Sequence, residues 1–208
     1  MDDKEPEYWP EGTTAAKAMA MLLVPQAALV VLAFVVHIWS GVWPLERFAL
    51  TVEGVVLGIV AAIALIVAVY GTRPLLPGIW ADLDHRAGRL FAQAPFKLSW
   101  PIILMLSAVA GIGEEIVFRG ALQGWLETVS PVWSAIIAQA IIFAALHPIS
   151  RAYVVYVLVI GIALGTIYVL TGNLLVTIIA HFLNDVFALE RLRRLATVDR
   201  PDSVAPAA

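Results

Sequence analysis

Cysteine does not occur in the 208 residues, so disulfides, thiolate metal sites and a cysteine nucleophile are excluded. Charge is scarce too: Asp, Glu, Lys and Arg make up 14% of the chain, where soluble domains carry about 25%. A net charge of −3 gives no basis for a nucleic-acid partner. No ten-residue alternation suggests a barrel strand, and no internal repeat is visible. The opening stretch from Met1 to Lys17 is acidic and polar. It lacks the basic start and small-residue cleavage site of a secretory signal, so the first apolar run is expected to stay as an anchor. Apolar residues are what the chain has in excess, at 61% with seven Trp and a mean hydropathy of +0.89; about 45–50% apolar is usual. The composition defines an integral membrane protein.

About 20 apolar residues are needed to cross roughly 30 Å of hydrocarbon as a helix, and an open strand could not satisfy its backbone there. Six segments approach that length: 18–40, 52–71, 100–126, 131–147, 152–170 and 174–189. The expected fold is all-α, a polytopic bundle of about six transmembrane helices. "SGVWP", "YGTRP" and "TG" punctuate the segment ends. Between the second and third spans, Trp80, Leu83, Ala87, Leu90, Phe91 and Ala94 recur at helical spacing among Arg86, Arg89 and Lys97. That pattern fits an amphipathic interfacial helix, or equally an ordinary connecting one. The organisation reads as a polar N-tail (1–17), two spans with the interfacial loop (18–95), a four-span core (96–190) and a C-tail (191–208), basic and then disordered from Thr197.

With six spans, one side of the membrane collects Lys4, Lys17, Arg73, Arg86, Arg89, Lys97, Arg151, Arg191, Arg193, Arg194 and Arg200. The other side has Arg47 alone. By the positive-inside rule both termini are expected to be cytoplasmic.

Against this background "GIGEEIVFRG" (111–120) stands out, because each ionisable group at mid-bilayer costs about 2.5–3.5 kcal/mol on insertion scales. Glu115 and Arg119, four apart, share a helix face and can neutralise each other. That pair reads as architecture. Glu114 lies about 100° round the helix and has no equally good partner within it. It must find a partner on another helix, meet water, or stay protonated, and it reads as functional. The fourth span places Phe143 and His147 on one face, and the sixth places His181 with Asn184 and Asp185. A carboxylate and two imidazoles from three helices form a convergent site. His37 reads as packing or interfacial, and His85 needs no special role. Gly111, Gly113, Gly161 and Gly165 read as close-packing positions. Gln123 and Gln139 are weaker candidates for supporting donors.

Glu114-Glu115-x-x-x-Arg119, Phe143-x-x-x-His147 and His181-x-x-x-Asp185, in that order, resemble the three-motif signature of the CPBP family. These are the type II CAAX-processing endopeptidases and their bacterial relatives, often called Abi proteins. The resemblance covers roughly residues 96 to 190. It implies a glutamate-type intramembrane endopeptidase of a bacterial or archaeal plasma membrane, acting on a membrane-protein or lipidated-peptide substrate within the lipid bilayer. It further implies that Glu114 and His147 activate a water, and that His181 and Asp185 face the developing oxyanion. Glu115, Arg119, Phe143 and Asn184 are left in supporting roles. Where the family often has Asn, this chain has Asp185 preceded by Asn184. An ionised Asp accepts hydrogen bonds and does not donate them, so either Asp185 orients His181 or Asn184 supplies the amide.

No cofactor is expected. Zinc on the Glu and two His is the weaker variant of the same site, since no H-E-x-x-H spacing occurs. A non-catalytic scaffold or bacteriocin-immunity protein is the alternative, and a proton-coupled transporter ranks below both. One geometric condition must be met. Glu114 lies roughly 20 Å along its span at 1.5 Å per residue, while His147 ends the short fourth span. Tilt, a break near Gly111 and Gly113, or a later start must bring them to one depth.

Overall fold

The computed structural model describes residues 8–198. The disordered C-tail expected from Thr197 lies outside the described residues from position 199 on, as does the start of the polar N-tail. Among the described residues the chain is helical without strands: α1 (Ala15–Ser40), α2 (Val52–Tyr70), α3 (Pro77–Ala92), α4 (Trp100–Glu115), a π-helical segment (Ile116–Gln123), α5 (Gly124–Val129), α6 (Val132–Ala145), α7 (Arg151–Thr171) and α8 (Leu174–Val198). The all-α membrane bundle is the architecture observed.

Local chemistry sets the boundaries. Thr14, Thr51 and Ser150 each accept a backbone N–H of the first turn of α1, α2 and α7, satisfying one of the donors a helix start leaves open. Gly41 (φ 76°) and Gly172 (φ 59°) end α1 and α7 in the left-handed conformation that glycine adopts without a Cβ clash.

The expected six crossings are reduced to four by length and composition. Among the described residues Ala15–Ser40, Val52–Tyr70, Trp100–Val129 and Arg151–Thr171 are long and apolar enough to cross a membrane. The fourth expected span is α6, of 14 residues, about 21 Å at 1.5 Å per residue. The sixth lies in the longer α8, whose apolar run is broken by His181, Asn184 and Asp185 and then by Glu190, Arg191, Arg193 and Arg194. At that end the Arg193 and Arg194 side chains hydrogen-bond Glu190 and hold its carboxyl down to about 2.

Apolar side chains of α1 and α2, such as Val31, Ile38, Trp39, Val52 and Val60, face outward, as a lipid-facing surface requires. Between helices in lipid there is little hydrophobic gain, so close backbone approach and polar contacts carry the packing. At Gly58 an added Cβ would stand 2.6 Å from Ile179 Cβ, and at Gly111 it would stand 3.0 Å from the Phe182 backbone N. These glycines seat α2 and α4 on α8. Gly113 is different: its Cβ would meet Val30 at an ordinary 3.5 Å, so close approach does not demand glycine there.

The third span is one helical column of 30 residues, but its geometry changes at Glu115, where α-helix gives way to the π segment. Gly120 within it would drive a Cβ to 2.1 Å from Pro44 O, so the α1–α2 loop backbone presses directly on the widened turn. π-Helical turns concentrate at functional sites. Nothing in the apolar periodicity signals this one.

α3 is amphipathic as expected, and its apolar face is covered by protein. Trp80, Leu83 and Ala87 are buried where α3 packs on α8 and α7. Arg73 reaches Asp84 at 2.9 Å, and Arg191 of α8 meets the same carboxylate. Trp9 docks the N-tail by donating from Nε1 to Leu90 O at 2.8 Å.

Candidate active site

The site begins at the last α turn of α4. Glu114 and Glu115 are both buried, and their side chains diverge. Glu115 Oε1 accepts from Arg119 Nη1 at 2.6 Å and meets His181 Nδ1 at 2.8 Å. Glu114 Oε1 accepts from Gln26 Nε2 of α1 at 2.6 Å, while Oε2 stands 3.8 Å from His181 Nε2. The separation of the two glutamates around the helix is therefore real. Glu115, however, does more than neutralise Arg119: it also anchors the imidazole of α8.

Arg119 is fully buried. Besides its ion pair, its Nη2 donates to Gly161 O at 3.1 Å, and its guanidinium lies 5.0 Å from the Phe143 ring centre. Phe143 explains itself by what it touches. Its ring meets Phe118 and His147 at 4.8 Å and His181 at 6.1 Å, so one side chain spaces both imidazoles. Gly161 and Gly165 pack α7 against α6 as the small-residue pattern suggested, with a Cβ 3.1 Å from Ala140 or 2.7 Å from Gln139. Their carbonyls also accept from Gln139 and Gln123, so these glutamines brace helices and do not line the cavity.

His147 lies in the turn that follows α6, and its Nδ1 bonds to Phe143 O at 2.8 Å. A carbonyl only accepts, so Nδ1 carries a proton towards Phe143 O and Nε2 is the ring nitrogen that faces away from that bond. With α6 only 14 residues long, the chain turns early, and His147 lines the same cavity as Glu114, His181, Asn184 and Asp185.

That cavity is about 300 Å³. Its wall is mostly apolar, with residues from α1, α3, α4, α7 and α8, and Asp84, Glu114, His147, His181, Asp185 and Arg191 supply its ionisable groups. Such a combination suits a binding site that holds a largely apolar chain and presents a few polar groups. Asp185 Oδ2 stands 3.6 Å from His181 Nε2, beyond hydrogen-bond length. The contact that fixes the His181 ring is the one from Glu115. Asn184 is buried and lines the cavity.

The three motifs thus meet around one space. Two contributors were not read from sequence. Tyr153 of α7 lines the cavity with its ring 6.3 Å from His147, and tyrosine at a span start gives no signal of its own. Gln26 did leave a signal: a lone amide, after Pro25, in a mostly apolar helix.

Among the described residues no group of three or more His, Asp or Glu is arranged to hold a metal ion. A catalytic zinc takes three protein ligands at about 2.0–2.2 Å. Here His181 Nδ1 is engaged by Glu115, which leaves only Nε2 of that ring for a metal.

Fold and site together define a class: an integral membrane helical protein with a carboxylate–imidazole centre recessed in its bundle. Residues 96–187 match the family model described as type II CAAX prenyl endopeptidase Rce1-like, and this supports the assignment to the CPBP, or CAAX-protease, family. A curated protein described as "Uncharacterized protein YpbD", from Bacillus subtilis (strain 168), is 39% identical over 98 residues, covering 45% of this chain and 48% of that protein. The chain therefore spans about half the length of the relative it matches. No solved structure matches it.

Proposed function

We propose that this protein is an intramembrane endopeptidase that hydrolyses a peptide bond of a membrane-associated protein or peptide, using a water activated by Glu114 and His147. The observation that carries this reading is the common cavity of Glu114, His147 and His181, reached from three separate helical segments. Hydrolysis without a nucleophilic side chain needs a base for water and donors for the tetrahedral oxygen. Glu114 takes the first task with His147 as its partner: the His147 Nδ1–H is held by Phe143 O, so its Nε2 is the atom that accepts a hydrogen bond from the same water and orients it. His181 suits the second. Its Nδ1 donates to Glu115, and as an imidazolium it donates from Nε2 as well. Asp185, beside Nε2, supports that cation, and Asn184 is the neighbouring amide.

In this scheme Glu114 takes a proton from water and the hydroxide adds to the scissile carbonyl carbon. His181 stabilises the resulting oxyanion, and the proton passes to the leaving amine as the C–N bond breaks. The apolar wall fits a substrate segment entering from lipid. The reading places both termini in the cytoplasm of a bacterial or archaeal cell and is written without a metal. It is tested by comparing peptides from membranes of cells that carry the wild-type protein or the Glu114→Ala variant at equal abundance. The expected result is a cleaved fragment present only with wild type and its uncut precursor accumulating with the variant. Identical peptide sets would point to a scaffold instead.

A further inference from the structure

We propose that Gln26 of α1 is a positioning residue for Glu114, so that the reactive centre is completed by a helix outside the segment that carries the family match. This rests on the endopeptidase reading above. α1 is a poor candidate for polar duty: 26 residues long, mostly apolar and largely exposed along its length. Its one amide nevertheless turns inward and donates to Glu114 Oε1 at 2.6 Å. A carboxylate only accepts, so the contact fixes which end of the amide faces it.

The surroundings explain what this bond adds. From α8, His181 faces Glu114 at 3.8 Å, with Asp185 behind it. Glu115 precedes Arg119 on the same column and is occupied by Arg119 and His181. His147 borders the cavity from the turn after α6, and Tyr153 from α7. From α1 comes the neutral Gln26, on the opposite oxygen from His181. Without it Oε1 loses a short hydrogen bond, and the carboxylate is free to rotate about its last torsion towards His181. Holding one oxygen leaves the other aimed at a fixed direction, which is what a base acting on a single water requires.

The test uses full-length protein in lipid nanodiscs. Infrared difference spectra against Glu114→Gln identify the carboxylate band of Glu114. Gln26→Met keeps length and bulk but lacks the N–H, and Gln26→Asn withdraws the amide by one methylene. Both are expected to move the Glu114 band, with thermal midpoints near wild type. The same variants are expected to lower the rate of peptide cleavage about ten- to a hundredfold, the range of a hydrogen bond to a charged group. A band that stays in place in either folded variant overturns the inference whatever happens to cleavage, as does wild-type cleavage rate in a variant whose band has moved. A moved band in a protein whose wild type cleaves nothing sinks the endopeptidase reading alone and leaves the Gln26–Glu114 contact standing.

Discussion

At the scale of single residues, the buried charges Glu115 and Arg119 are paired with each other. Arg119 illustrates the cost of breaking that pair. Replacing it with Leu leaves Glu115 buried without its 2.6 Å partner, and removing one half of a buried pair costs about 3–5 kcal/mol. Arg119→Leu is therefore expected to lower the thermal midpoint sharply, while Glu115→Gln with Arg119→Met together costs less than the single change. Melting curves of the purified variants decide this; equal losses would contradict the view that the cost lies in the carboxylate left without its cation. Much of this was legible beforehand. The i, i+4 spacing of Glu115 and Arg119 announced their pairing, and the 100° offset of Glu114 announced its independence. That Glu115 also grips His181 was not legible, because the contact joins residues 66 positions apart and depends on the relative rotation of α4 and α8.

At the scale of elements, the π segment and the short α6 do the positioning, and neither follows from apolar periodicity. A run such as Trp100–Val129 looks the same whether its hydrogen bonds step by four or five residues. The shortness of α6, by contrast, was visible in the fourth span that His147 ends, and after it His147 lines the cavity it shares with Glu114. Glycine substitutions separate the elements that need close approach from those that do not. Gly120→Ala sets a Cβ 2.1 Å from Pro44 O, against 3.5 Å to the nearest neighbour at Gly113. Overpacking of this kind costs typically 1–3 kcal/mol. Gly120→Ala is thus expected to destabilise by at least that much and Gly113→Ala to be close to neutral, as read by chemical denaturation in detergent. Comparable effects at both sites would contradict the packing described.

For the whole molecule, composition established a membrane bundle, and the motifs named residues that line one cavity. The number of crossings was overestimated because apolar length was counted where α6 is short and where α8 turns polar. The positive-inside partition rests on six crossings, so orientation calls for its own measurement. The absence of cysteine makes that simple. Glu11 and Glu46 are exposed and flank α1, and single cysteines there are expected to react with a membrane-impermeant maleimide from opposite faces, Glu46→Cys from outside intact cells and Glu11→Cys only after permeabilisation. Labelling of both from one face would remove α1 as a crossing. Metal dependence belongs to this scale too: cleavage is expected to survive chelation, and loss of activity restored by zinc would replace the glutamate mechanism.

The most direct measurement follows the oxygen. Wild-type protein and Glu114→Gln, reconstituted in liposomes with membrane proteins from a strain lacking the gene, are incubated in water enriched in oxygen-18, and new peptide C-termini are read by mass spectrometry. If Glu114 activates water, labelled carboxylates form with wild type and are absent with the equally folded variant. Equal labelling by both proteins, or none by wild type, would contradict the account.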